Sequence, residues 1–130
     1  MSNLKRARSM LRVAQRDLRA LKGMLNRDTF ADEVFGFFVQ QAAEKGLKAW
    51  LSILGDVYPF THNLGLLLQR LENYGKDVSS YWDLLEFNPF AVQLRYDDLS
   101  ERDVDIDRER EIERLEALLE IIQGEIDQDT

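Results

Sequence analysis

The segment from Phe30 to Leu54 most constrains the fold of this chain. Its apolar residues are Phe30, Val34, Phe35, Phe37, Phe38, Val39, Ala42, Leu47, Trp50, Leu51 and Leu54. On a 3.6-residue period they cover most of a helix circumference, and such a helix belongs in the middle of a bundle. Into the same run fall Gln41, Glu44, Lys45 and Lys48. Their i, i+3, i+4, i+7 spacing places four long polar side chains on one stripe. A stripe like this on an otherwise apolar helix must face water, a partner or a ligand. Two readings are open. In one, the lysines are cations for a phosphate and Gln41 is a neutral hydrogen-bonding group. In the other, Glu44–Lys48 is an ordinary i,i+4 ion pair and Gln41–Lys45 a solvated one.

The flanking segments supply the rest of the bundle. Leu4, Ala7, Leu11, Ala14, Leu18, Leu21 and Leu25 form one seam and predict a helix over 4–25. Thr29 with Asp32 resembles a capping box for the second helix, expected over 30–54, and Gly55 with Pro59 should stop it. A third helix is predicted over 62–74 with Thr61 as N-cap, Leu64, Leu67, Leu68 and Leu71 inward, and Gly75 as terminator. Ser80 and Asp83 form a cap-like pair ahead of Tyr81-Trp82-Asp83-Leu84-Leu85. Asn88-Pro89 then reads as a helix restart carrying Phe90, Val92 and Leu94. Residues 97–107 read as a loop, and a last helix over 108–126 has Ile112, Leu115, Leu119, Ile122 and Ile126 on its seam. No segment alternates as a strand would. The expected fold is all-α, an antiparallel up-and-down bundle of four to five helices in one domain spanning 1–130.

Charge is uneven along the chain. The net value is −7, yet residues 1–30 sum to +6 and residues 97–130 to −10. Either the first helix is a nucleic-acid patch through Lys5, Arg6, Arg8, Arg12, Arg16 and Arg19, or the opposite charges favour packing the first and last helices together. A sequence pI near 4.7 and a basic helix without aromatics argue against direct DNA binding. Cysteine is absent and His62 is the sole histidine, so thiol chemistry, disulfides and multi-histidine metal sites are excluded. No metal and no cofactor is expected. No apolar run approaches the ~20 residues of a membrane span, and the N-terminus lacks a signal-peptide core. A cytoplasmic location follows as the expectation.

Few residues can carry chemistry. His62, in Thr61-His62-Asn63 at a helix start, could exchange a proton near an anion held by free backbone N–H groups, or could be a surface residue of a capping turn. Arg95 could be a phosphate fork or a helix-terminal cation. Walker-type and dinucleotide glycine loops are missing, as is the paired Glu-x-x-His of a di-iron bundle. Tyr81, Trp82, Phe87 and Phe90 are either core or a dimer seam.

Several of these residues together resemble the HEPN domain family, especially the small stand-alone proteins associated with minimal nucleotidyltransferases. The resemblance rests on Ala14 and Asp17-Leu18, on Phe38-Val39-Gln40-Gln41-Ala42-Ala43-Glu44-Lys45 with Lys48-Ala49, on Thr61-His62-Asn63-Leu64, and on Arg95-Tyr96-Asp97-Asp98. It implies a helical bundle, commonly a homodimer, proposed to bind nucleotides, with a nucleotidyltransferase partner in toxin–antitoxin or defence pairs. The RNA-cleaving branch uses an arginine followed four to six residues later by a histidine. Here positions 55–57 are Gly, Asp and Val, and no histidine follows Arg95. The expectation is therefore a catalytically silent module whose ligand-binding residues are Gln41, Glu44, Lys45, Lys48, His62, Arg95 and Tyr96. His62 and Arg95 are the catalytic candidates should a rearranged ribonuclease site exist, and Tyr96 is a candidate target of nucleotide transfer. A homodimeric interaction protein without a ligand is the other alternative.

Overall fold

A computed structural model describes residues 3–93 and 106–129. Among the described residues, five α-helices run in the order α1 (Leu4–Lys22), α2 (Asp32–Ile53), α3 (Leu64–Asn73), α4 (Phe90–Gln93) and α5 (Arg108–Asp129), with a 3-10 helix over Ser79–Phe87 between α3 and α4. No strand occurs among the described residues. The all-α bundle expected from the periodicity is present.

α2 is the central rod. It packs against α1, α3, α4, α5 and the 3-10 helix, as its all-round apolar surface requires. Fifteen of its 22 residues are buried. The α1 seam is buried through Ala7, Leu11, Ala14, Leu18 and Leu21. Leu25 lies beyond the helix end at Gly23 and is 47% exposed, contrary to the seam's continuation. The α5 seam is buried as expected, and the helix continues to Asp129. Tyr81, Phe87 and Phe90 are core residues, while Trp82 is half-buried and donates its indole N–H to Glu72 at 3.0 Å. The side chain of Val92, the whole of Leu94 and most of the 97–107 loop lie outside what is described.

Two glycine stops hold. Gly55 (φ 79°) and Gly75 (φ 81°) adopt the left-handed backbone that ends a helix at little steric cost. The caps differ from the sequence signals. Ala31, not Thr29, precedes α2 and supplies no side-chain cap. Asn26 Oδ1 instead accepts from the N–H groups of Asp28 (2.9 Å) and Thr29 (3.1 Å). Asp32 bonds the Arg108 guanidinium at 2.9 Å rather than closing a capping box. The α3 cap is Asn63, two residues after Thr61, because Asn63 Oδ1 reaches the Gly65 N–H at 2.9 Å. Ser80–Asp83 forms no cap either, since Asp77 takes the Ser79 N–H (3.1 Å) and hydroxyl (2.7 Å).

Arg108 fastens the α1–α2 turn to α5. It is 3% exposed, and its guanidinium donates to Met24 O (2.6 Å) and Phe30 O (2.6 Å) while lying 4.9 Å over the Phe35 ring. The Arg27 guanidinium similarly donates to Ile106 O. Truncation at 108 would strand two carbonyls in or beside the core. Arg108→Ala is expected to lower stability by about 2 kcal/mol, read as a shift in the urea midpoint. An unchanged midpoint would remove this clasp from the account.

Candidate functional site

The polar stripe of α2 does not wet an outer surface. Its centre, Glu44, is fully buried, and Lys48 is 4% exposed. A carboxylate in such a place is tolerated only when donors surround it. Four do. Glu44 Oε1 accepts from Gln40 Nε2 at 3.0 Å and from His62 Nδ1 at 2.8 Å, and Oε2 accepts from Lys45 Nζ at 3.1 Å and Lys48 Nζ at 3.0 Å. The helix supplies three of the four by spacing alone: Gln40 and Lys48 lie one turn to either side of Glu44, and Lys45 is its neighbour. Burial pushes the Glu44 carboxyl up, but the hydrogen bonds from Gln40, His62 and Lys48 and the Lys48 charge outweigh it and hold the pKa at about 2. Glu44 is therefore an anion throughout the physiological range.

An ionised carboxylate can only accept, so Nδ1 of His62 carries the proton. The ring is fixed with Nε2 directed away from Glu44. Gln40 tightens the arrangement, since its amide also donates to the His62 carbonyl at 2.9 Å. Gln41 supports it from behind, donating to Gln40 Oε1 at 2.6 Å. Two ammonium groups share one carboxylate here, and Glu44 is not their sole counter-charge. Lys45 also feels Asp17 on α1, whose own carboxyl is pushed up by burial although Arg16 and Lys45 pull it down.

Aromatic rings complete the outer side. Phe60 is 92% exposed, stands edge-to-face with His62 at a centroid distance of 5.7 Å, and lies 5.6 Å from Lys48 Nζ. Tyr58 lies 5.7 Å from the same ammonium, and Arg6 covers its ring at 4.7 Å. A shallow recess of about 250 Å³ beside His62 is lined by Asn63, Asn88 and Ala91 as well. None of the four stripe residues lines it.

The expected residues thus divide. Glu44, Lys45, Lys48 and His62 converge, with Gln41 one bond removed. Arg95 and Tyr96 lie outside the described residues. The α3 N-terminus is not a free anion nest, because its amides are bonded within the chain: Asn63 N–H to Thr61 Oγ1 (3.0 Å), Leu64 N–H to Asn88 Oδ1 (3.0 Å) and Gly65 N–H to Asn63 Oδ1 (2.9 Å). Asn88, read from the sequence as the cap of its own helix, serves α3 from 24 residues away. Sequence reasoning passed over Gln40 and Phe60. Gln40 lies one turn before Glu44 on the same i,i+4 row as Lys48, so its spacing was a legible signal that the stripe starting at Gln41 left out. Phe60 left one signal, an aromatic after Pro59 in a loop that otherwise has no core to fill. No group of three or more possible metal ligands occurs among the described residues.

A buried acid that gathers two lysines and a histidine from the central helix and the following loop defines a class: an all-α bundle with a buried charge cluster beneath an aromatic-edged surface at the α2–α3 turn. Residues 7–125 match the HEPN domain family model. The chain belongs to the HEPN domain family. No curated protein and no solved structure matches it. Among the described residues, no helix is long and apolar enough to cross a membrane.

Proposed function

We propose that this chain is a catalytically silent HEPN-type module that binds a nucleotide in the cytoplasm and works with a nucleotidyltransferase partner, as in toxin–antitoxin or defence pairs. The observation that carries this reading is the Phe60 ring, 92% exposed and edge-on to His62, with the ammonium groups of Lys45 and Lys48 fixed behind it on Glu44. An exposed ring offers a stacking face for a base, and the part-exposed side chains of Lys45 and His62 offer partners for a phosphate. Glu44 keeps these groups in place without a ligand, so little ordering is required on binding.

Titration with ATP or GMP, followed by thermal melting, tests the reading. A ligand of the native state must raise the melting temperature as its concentration passes Kd. Phe60→Ala is expected to weaken binding by about tenfold, the worth of one base–aromatic stack, and to leave the melting temperature of the free protein unchanged because the ring makes little use of the core. No thermal shift at millimolar nucleotide, or full binding by Phe60→Ala, would overturn it.

A further inference from the structure

Opposite charge does little to tie the basic end of the chain to α5. Among the described residues, Lys22–Glu116 is the one ion pair between α1 and α5, at 3.5 Å. The other cations of α1 stand elsewhere. Lys5, Arg8, Arg12, Arg16 and Arg19 are all exposed. Their steps of three and four residues keep them within about a quarter of the helix circumference, opposite the buried seam of Ala7, Leu11, Ala14 and Leu18. They form a ridge roughly 21 Å long. None of the five makes a salt bridge or a side-chain hydrogen bond among the described residues. Asp17, the sole acid of α1, lies on another face. An open groove of about 560 Å³ follows the ridge, lined by Ser9, Arg12, Val13, Gln15, Arg16 and Arg19. Arg8, Arg12 and Arg16 repel one another at i,i+4 spacing, and nothing within the fold offsets this.

We propose that the α1 ridge binds a linear inorganic polyphosphate chain. Four of its five cations are arginines, whose planar fork meets phosphate oxygens two at a time. The other polyanions fit less well. A nucleic-acid strand gains much of its affinity from stacked bases, and α1 carries no aromatic residue. A protein interface buries an apolar centre, and a lipid surface takes up an apolar face. The apolar face of α1 is already spent on the core. A ligand that offers negative charge along a line, and nothing else, matches what the ridge presents. The acidic α5 packed beside α1 confines the cationic surface to one narrow track, which suits an unbranched chain over a broad anionic surface. The ridge shares no residue with the Glu44–His62–Phe60 site, so this inference is independent of nucleotide binding.

Titration calorimetry with sodium polyphosphate long enough to span the ridge tests the proposal on the full chain. Counterion release from about five contacts should weaken binding on the order of 10²-fold between about 50 and about 200 mM salt. Tripolyphosphate, too short to reach the whole row, should bind far more weakly. Arg12→Gln/Arg16→Gln should cost about tenfold or more in affinity and flatten the salt dependence by about two contacts, with helicity and melting temperature unchanged. Arg8→Gln/Arg19→Gln should do the same from the two ends of the row. Phe60→Ala should bind polyphosphate as the native chain does. No heat of binding at low salt, or full affinity in either arginine pair, would overturn the inference. So would equal or tighter binding of oligouridylate or polyglutamate of matched charge, which would make the ridge a nucleic-acid or a protein surface instead.

Discussion

Glu44→Ala is expected to lower the free energy of unfolding by about 3–5 kcal/mol, the usual consequence of removing one partner of a buried ion pair. Its four donors cannot all turn to water. Lys48 has 5% of its side chain exposed, so its ammonium would remain desolvated without a counter-charge. Gln40 would keep the His62 carbonyl and lose its acceptor in the carboxylate. Glu44→Gln preserves the shape and removes the charge, and should be nearly as damaging. The two effects separate in a double variant. Lys48→Met in the Glu44→Gln background removes the stranded cation and should recover part of the loss, since an apolar replacement of a whole buried pair is tolerated far better than a half-pair. Urea unfolding of the four proteins checks this. A loss under about 1 kcal/mol for Glu44→Ala would mean that the carboxylate is not the organising charge.

Acid should undo the same arrangement. The Glu44 carboxyl falls from its ordinary 4.5 to about 2 on folding. A group whose native value is depressed contributes stability that is complete above the unfolded value and is lost as pH falls through the native one. The window is therefore about pH 5 down to about pH 2, and the amount is on the order of 3 kcal/mol. Glu111 acts in the opposite sense, because burial pushes its carboxyl up despite Arg114 beside it; its share of stability is lost as pH rises. Melting temperature against pH, compared between the native chain and Glu44→Gln, isolates the Glu44 part. The variant should show a distinctly flatter acid limb. Parallel limbs would assign the acid loss elsewhere.

What the sequence revealed and what it hid follow from the range of the forces involved. Helix existence depends on a local period, and the α1 seam, the all-round apolar α2 and the α5 seam could be read directly. Caps depend on which side chain reaches an amide first, and that is a tertiary matter. Thr29–Asp32 had the right spacing, but Asp32 was claimed by Arg108 from 76 residues away. Asn88 sat correctly for its own helix and was taken by Leu64. The polar stripe was legible as four residues on one face of α2. Its burial was not, because the side chain that closes it, His62, comes from the next loop. The charge asymmetry of the two ends was visible at once, and the packing of α1 against α5 is the outcome that opposite signs favour.

The anionic charge of Glu44 inside the bundle places Lys45, Lys48 and His62 together. A carbon-detected NMR titration of the glutamate side-chain carboxyls, with Glu44 assigned by its absence in Glu44→Gln, measures this without a ligand or a partner. The expected midpoint for Glu44 is near 2. A midpoint at or above the ordinary 4.5 would contradict it.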